Sequence, residues 1–151
     1  MGKIMMDNNL SEKIKITDLL SEEKSVQIKP IGYSMYPLIV PGRDEVIISP
    51  IRGRKLHRGD VLLYRRKNSK LILHRVYKIK ENGFFFVGDN ESLIEGPIDN
   101  ASVYGIMTAF YHKGKKIKTN NFFYFLSWQL WLLLLPFRKP IGKIIHKAKS
   151  D

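Results

Sequence analysis

Three short segments carry side chains whose types and placement suit acyl transfer. The first is Gly32-Tyr33-Ser34-Met35-Tyr36-Pro37. A serine between a glycine and a proline sits on a backbone held in a fixed bend. Such a bend can aim Oγ and the neighbouring backbone N–H groups at one point, as attack on a carbonyl and stabilisation of its oxyanion require. The second is Leu71-Ile72-Leu73-His74-Arg75-Val76. Strand alternation puts His74 on the face of Ile72 and Val76, where an imidazole can keep a near-neutral pKa and act as a base. The third is Val87-Gly88-Asp89-Asn90, followed by Glu91, Glu95 and Asp99. An acid here could hold the imidazole in one tautomer. Each segment alone also fits an ordinary role: a turn serine, a core histidine bonded to backbone, a Gly-Asp-Asn turn. The other histidines have poorer surroundings, His57 in a charged turn, His112 beside lysines and His146 in a basic tail.

The elements that must position these residues read mainly as strands. Residues 10–24 predict a short helix with a partial apolar stripe of Leu10, Ile14, Leu19 and Leu20. From Val26 the pattern turns to strands: VQIK, then EVIISPI after a turn-rich stretch. DVLLYRR and LILHRVYKI flank KNSK and predict a hairpin. Glu81-Asn82-Gly83 predicts a tight turn into FFFVGDN, with the Asn-Gly pair supplying positive φ. ASVYGIMTAFYHKG predicts a long strand or a strand pair. The expected fold is mainly β, an antiparallel core of six or seven strands with a short N-terminal helix and a C-terminal hydrophobic helix.

Composition bounds the chemistry. A chain of 151 residues with 44% hydrophobic side chains can bury a core of its own. It has no cysteine, which excludes disulfides, zinc–thiolate sites and a cysteine nucleophile. Nothing in the pattern asks for a metal or a cofactor. The net charge of +12 is uneven: residues 112–151 hold nine basic side chains and one acidic one. The N-terminus has no apolar run of signal-peptide length.

The one strong apolar run is 122–137, FFYFLSWQLWLLLLPF. As a helix it would rise roughly 24 Å, short of the ~30 Å of a bilayer core. Tyr124, Trp128 and Trp131 lie within it. Lys113, Lys115, Lys116 and Lys118 precede it, and Arg138, Lys139, Lys143 and Lys147 follow. Aromatics between basic clusters suit a lipid interface, and a helix lying in or re-entering one leaflet is expected, with a buried core helix as the alternative. The basic residues bracket an apolar run and form no basic face, which argues against nucleic acid.

The order of the segments adds what none carries alone. Ser34 in GYSMYP, then RGDV, then LHRV, then GDN, resembles the type I signal peptidase family over about residues 24–108. The LHRV context is similar to the endoplasmic-reticulum and archaeal branch, in which the base is histidine and not lysine. The resemblance implies a serine endopeptidase cleaving signal or leader peptides, with Ser34 as nucleophile and His74 as general base. It implies an acid at Asp89, or at Glu95, where the family carries a second aspartate. Asp60 of RGDV is expected to form a turn. Self-cleaving repressor proteases share the broader fold but use lysine as base. Lys70 and Lys78 flank His74 without taking its place. The expected layout is an N-terminal helical segment over 1–23, a catalytic β domain over 24–118 and a membrane-associating helix and basic tail over 119–151. The alternatives are a non-catalytic peptide-binding domain of this fold and a self-cleaving repressor-type protease.

Overall fold

The computed structural model describes residues 3–5, 10–67 and 70–138. Asn68 and Ser69 of the expected hairpin turn, His146 and the basic residues Lys139, Lys143 and Lys147 lie outside them.

The chain is mainly β. In order it forms β1 (Lys3–Met5), helix α1 (Leu10–Ser21), β2 (Val26–Lys29), β3 (Glu45–Pro50), β4 (Val61–Arg65), β5 (Leu71–Lys80), β6 (Gly83–Val87), β7 (Glu95–Ile98), β8 (Val103–His112), β9 (Lys115–Lys118) and helix α2 (Phe122–Leu133). One sheet carries the strands in the order β1-β2-β3-β8-β4-β5-β6-β7, with β9 on β8. Its pairings are antiparallel except β1 with β2. The described strands number nine, above the expected six or seven. The additions β1, β7 and β9 have little apolar alternation: β7 is Glu-Gly-Pro-Ile and β9 is Lys-Lys-Ile-Lys. Pairing with a longer neighbour supplies what their composition lacks.

Side-chain alternation sorts the sheet into two apolar layers. On β4, Val61 and Leu63 join one layer with Val26, Ile28, Val46, Ile48, Leu71, Leu73 and Met107. Leu62 and Tyr64 point the other way, to Val76, Phe84, Phe86 and Val103. Each fully buried Ile or Leu contributes roughly 1.5–3 kcal/mol. Helix α1 adds Ile16 and Leu20 to the first layer. It ends sooner than the sequence predicts, because Glu23 turns to positive φ and the Glu23 and Lys24 N–H groups close the last turn on Leu20 and Leu19. The β5–β6 turn also differs from expectation. Lys80 pairs directly with Gly83, so Glu81 and Asn82 form the turn and Gly83 alone takes the positive φ.

Helix α2 starts where Asn121 Oδ1 accepts the Phe123 N–H at 2.8 Å. Its twelve residues rise about 18 Å, and a 3-10 turn over Leu135–Phe137, with Pro136 inside it, follows. No helix among the described residues is long and apolar enough to cross a membrane. Tyr124 and Leu132 are buried against the sheet, whereas Phe122, Phe123, Leu130, Leu133 and Phe137 are exposed, Phe137 by 80%.

Candidate active site

His74 lies mid-strand on β5, 3% exposed. The β4–β5 hairpin register sets Leu62 opposite His74 and Tyr64 opposite Ile72. Tyr64 is therefore a diagonal neighbour of His74 on one face, close enough for side chains of this length to meet. The Tyr64 hydroxyl is 3.3 Å from His74 Nδ1, and it donates to Glu95 Oε2 at 2.8 Å. Arg66 grips the same carboxylate with two donors, Nε reaching Oε1 at 2.6 Å. Glu95 thus reaches the imidazole through a tyrosine.

These contacts set the protonation states. Burial pushes His74 down to about 4, and the Glu95 charge offsets part of that fall. Burial and the bond to Glu95 hold the Tyr64 hydroxyl well above its ordinary range. For Glu95, burial acts upward, but the bonds from Arg66 and Tyr64 outweigh it and leave the carboxyl below its ordinary value. At neutral pH the set is an ionised Glu95, a protonated Tyr64 and a neutral His74. With its proton committed to Glu95, the Tyr64 oxygen can accept only from Nδ1–H. The imidazole is then unprotonated at Nε2, the tautomer a general base needs.

Asp89 does not sit on the imidazole. Its two oxygens each accept from Arg75 at 2.7 Å, and both residues are 1% exposed. Alternation is the reason. Arg75 follows His74 on β5 and points to the opposite face, where its guanidinium also donates to the Gly59 carbonyl at 2.7 Å and the Tyr124 hydroxyl at 3.2 Å. Asp89 reaches His74 only as a nearby charge. Asp60 accepts the His57 N–H at 2.8 Å, the work of a turn former.

Ser34 is half-buried in the loop between β2 and β3, ahead of a cis Tyr36–Pro37 bond. Met35 and Ile39 of that loop are buried in the first apolar layer and tie it to the sheet. The Ser34 carbonyl accepts the Asn90 N–H at 2.7 Å. Gly88 allows this approach: a Cβ there would lie 2.7 Å from the Ser34 oxygen and 2.9 Å from Glu91 Cδ. Glu91 Oε2 in turn stands 3.8 Å from His74 Nε2, and burial raises the Glu91 carboxyl. The turn 88–91 therefore gathers the serine loop and the free face of the imidazole. Among the described residues, the side-chain polar contacts of His74 are with Tyr64 and Glu91, and Ser34 Oγ is not one of them.

Helix α2 roofs the same turn from outside. Trp131 Nε1 donates to the Asp89 carbonyl at 2.7 Å, and Arg138 donates to it at 3.1 Å. Between helix and serine loop lies a cavity of about 160 Å³ lined by Pro37, Leu38, Arg75, Asp89, Ser127, Trp128 and Trp131. No group of three His, Cys, Asp or Glu that could hold a metal ion occurs among the described residues.

The Glu95 carboxylate meets His74 through Tyr64, and the turn that binds the Ser34 carbonyl also carries Glu91, whose Oε2 stands 3.8 Å from His74 Nε2. The sequence alone does not single out Tyr64, Arg66 or the pairing of Arg75 with Asp89. A signal for Tyr64 was available: it has the parity of His74 across the hairpin. Compared with known proteins, the chain matches no family model and no curated protein.

Proposed function

We propose that this chain is a membrane-associated serine endopeptidase that cleaves signal or leader peptides, of the type I signal peptidase kind with a histidine base. One observation carries the reading: a buried, neutral His74 has Nδ1 held by Tyr64 and Nε2 turned to the tight turn that grips the Ser34 loop. The reaction is peptide hydrolysis in two halves. Ser34 Oγ gives its proton to His74 Nε2 and bonds to the scissile carbonyl carbon, and the carbonyl π pair moves onto oxygen. The C–N bond then breaks, and the proton on His74 passes to the leaving amine. Water repeats the sequence on the ester and returns Ser34 with a free carboxylate.

At 3.8 Å Glu91 is beyond hydrogen-bond reach of Nε2, so that nitrogen keeps its lone pair for the serine hydroxyl, which substrate binding would bring within reach, as catalytic hydrogen bonds tighten in the substrate complex. An extended substrate added as a strand would supply backbone hydrogen bonds. Small residues, Ala, Gly or Ser, are expected immediately before the cut, by analogy with the family the motifs resemble. The exposed aromatic face of α2, with Lys113, Lys115, Lys116 and Lys118 close by in sequence, suits an anionic lipid surface and would bring the site to membrane-bound leader peptides.

The test is cleavage of a peptide library followed by mass spectrometry, with Ser34→Ala in parallel. Cuts after small residues that vanish in the variant are expected. Cuts that persist in the variant, or a strong preference for a large or charged residue before the bond, contradict the proposal. Tight peptide binding with no cut at all would favour the non-catalytic alternative.

A further inference from the structure

The geometry points to Tyr64 and Arg66 as positioning residues that carry the influence of Glu95 to His74, completing a relay Arg66–Glu95–Tyr64–His74 in place of a carboxylate bonded to Nδ1. This rests on the reading of His74 as the base of Ser34.

Four observations build it. Tyr64 is fully buried and stacked on Phe86, with ring centroids 4.2 Å apart, so its hydroxyl has a fixed position. That hydroxyl touches both His74 Nδ1 and Glu95 Oε2. Glu95 is the largest of the charges that favour the protonated imidazole. Arg66 binds Glu95 with a two-point grip that fixes the carboxylate plane. The carboxylate of known serine triads holds one tautomer and stabilises the imidazolium without taking a proton. Here the same two tasks are divided. Tyr64 keeps its own proton on Glu95 throughout, accepts from Nδ1–H and fixes the tautomer. Glu95, one residue further out, supplies the charge that favours the imidazolium when Ser34 gives up its proton. Asp89, the other candidate acid, is committed to Arg75 on the far face.

The relay predicts a division of effects. Tyr64→Phe removes the acceptor and keeps the ring. Glu95→Gln removes the charge and keeps the size. Each should lower kcat about 10- to 100-fold, the range known for outer partners of metal-bound imidazoles, with KM little changed. The double variant should be no worse than the poorer single, because both break one chain. The charged and titratable groups around the imidazole are Tyr64, Arg66, Asp89, Glu91 and Glu95. Removing only the Glu95 charge should move the acid limb of the kcat profile to lower pH, because a protonated ring is then less favoured.

The experiment is nitrogen-15 NMR of the His74 ring in the full chain, beside those kinetics. Wild type should show the proton on Nδ1, and Tyr64→Phe should shift the population towards Nε2–H. A wild-type ring already protonated at Nε2, or a tautomer and kcat that both variants leave unmoved, overturns the relay. The tautomer is read without turnover. If the variants move it while the wild-type chain cuts no peptide, the relay stands and the protease reading falls.

Discussion

His74 and Arg75 are neighbours in sequence with opposite electrostatic duties, and the alternation of one strand separates them. His74 is a buried base kept neutral. Its folded value of about 4 lies below the ordinary 6.5. The unfolded chain therefore binds an extra proton between those values, so stability is lost as pH falls through that window and is unaffected above it. The full loss is roughly 3 kcal/mol from this group. Acid unfolding followed by circular dichroism should show it, and His74→Gln should flatten the curve between about pH 6.5 and 4. Arg75 is a buried charge kept paired. Asp89→Asn strips its counter-charge and should destabilise the fold by about 3–5 kcal/mol, read as a lower denaturant midpoint. Replacing both, Arg75→Met with Asp89→Leu, should recover much of that loss. If Asp89→Asn melts like wild type, the ion pair contributes little to stability. Gly88→Ala should pull the Ser34 carbonyl off Asn90 and reduce turnover sharply, because the new methyl would meet both the Ser34 oxygen and Glu91.

At the scale of elements, α2 has two faces with separate work. Inward, Tyr124 and Trp131 hold Arg75 and the Asp89 carbonyl. Outward, Phe122, Phe123, Leu133 and Phe137 meet solvent. Replacing the outward four by serine should sharply weaken vesicle binding and leave melting temperature and cleavage of a soluble peptide nearly unchanged. Trp131→Phe should do the reverse, weakening the roof over the turn while vesicle binding persists. A sedimentation assay with a melting curve reads both, and equal vesicle binding after the outward changes would refute the lipid face. The same elements show what is legible in a sequence. Strands β2 and β8 announce themselves by burial that alternates along them, and β3, β4, β5 and β6 by short apolar runs buried on both faces. Strands β1, β7 and β9 do not, since edge pairing asks little of side chains and lysines suit an exposed edge. The face of His74 follows from parity. Its partners do not: Glu95 stands 31 residues from Tyr64 and Asp89 14 from Arg75, and only the path of β6 and its turn decides which carboxylate lands on which face.

Over the whole molecule, charge and apolar surface sit at one end of the sequence. The lysines around β9 and the exposed rings of α2 suit the proposed anionic bilayer, where each well-placed basic residue would add about 1 kcal/mol. Binding to vesicles of anionic lipid should weaken in high salt without vanishing, because screening removes the ionic part and spares the apolar part. Complete release by salt would leave no role for α2, and equal binding to neutral vesicles would leave none for the lysines. If the chain is the proposed protease, such a surface would confine its search for membrane-bound peptides to two dimensions, and it should cut a tethered peptide faster than a free one of equal sequence.

The proposed cleavage requires Ser34 and His74 to act together. Turnover of a single leader-type peptide by wild type, Ser34→Ala and His74→Ala, each first shown to melt as wild type does, tests this most directly. Both variants should lose nearly all turnover, and the double variant should lose no more than either alone, as groups acting as a unit do. Near-normal cleavage by either single variant would contradict the assignment of Ser34 and His74 as nucleophile and base.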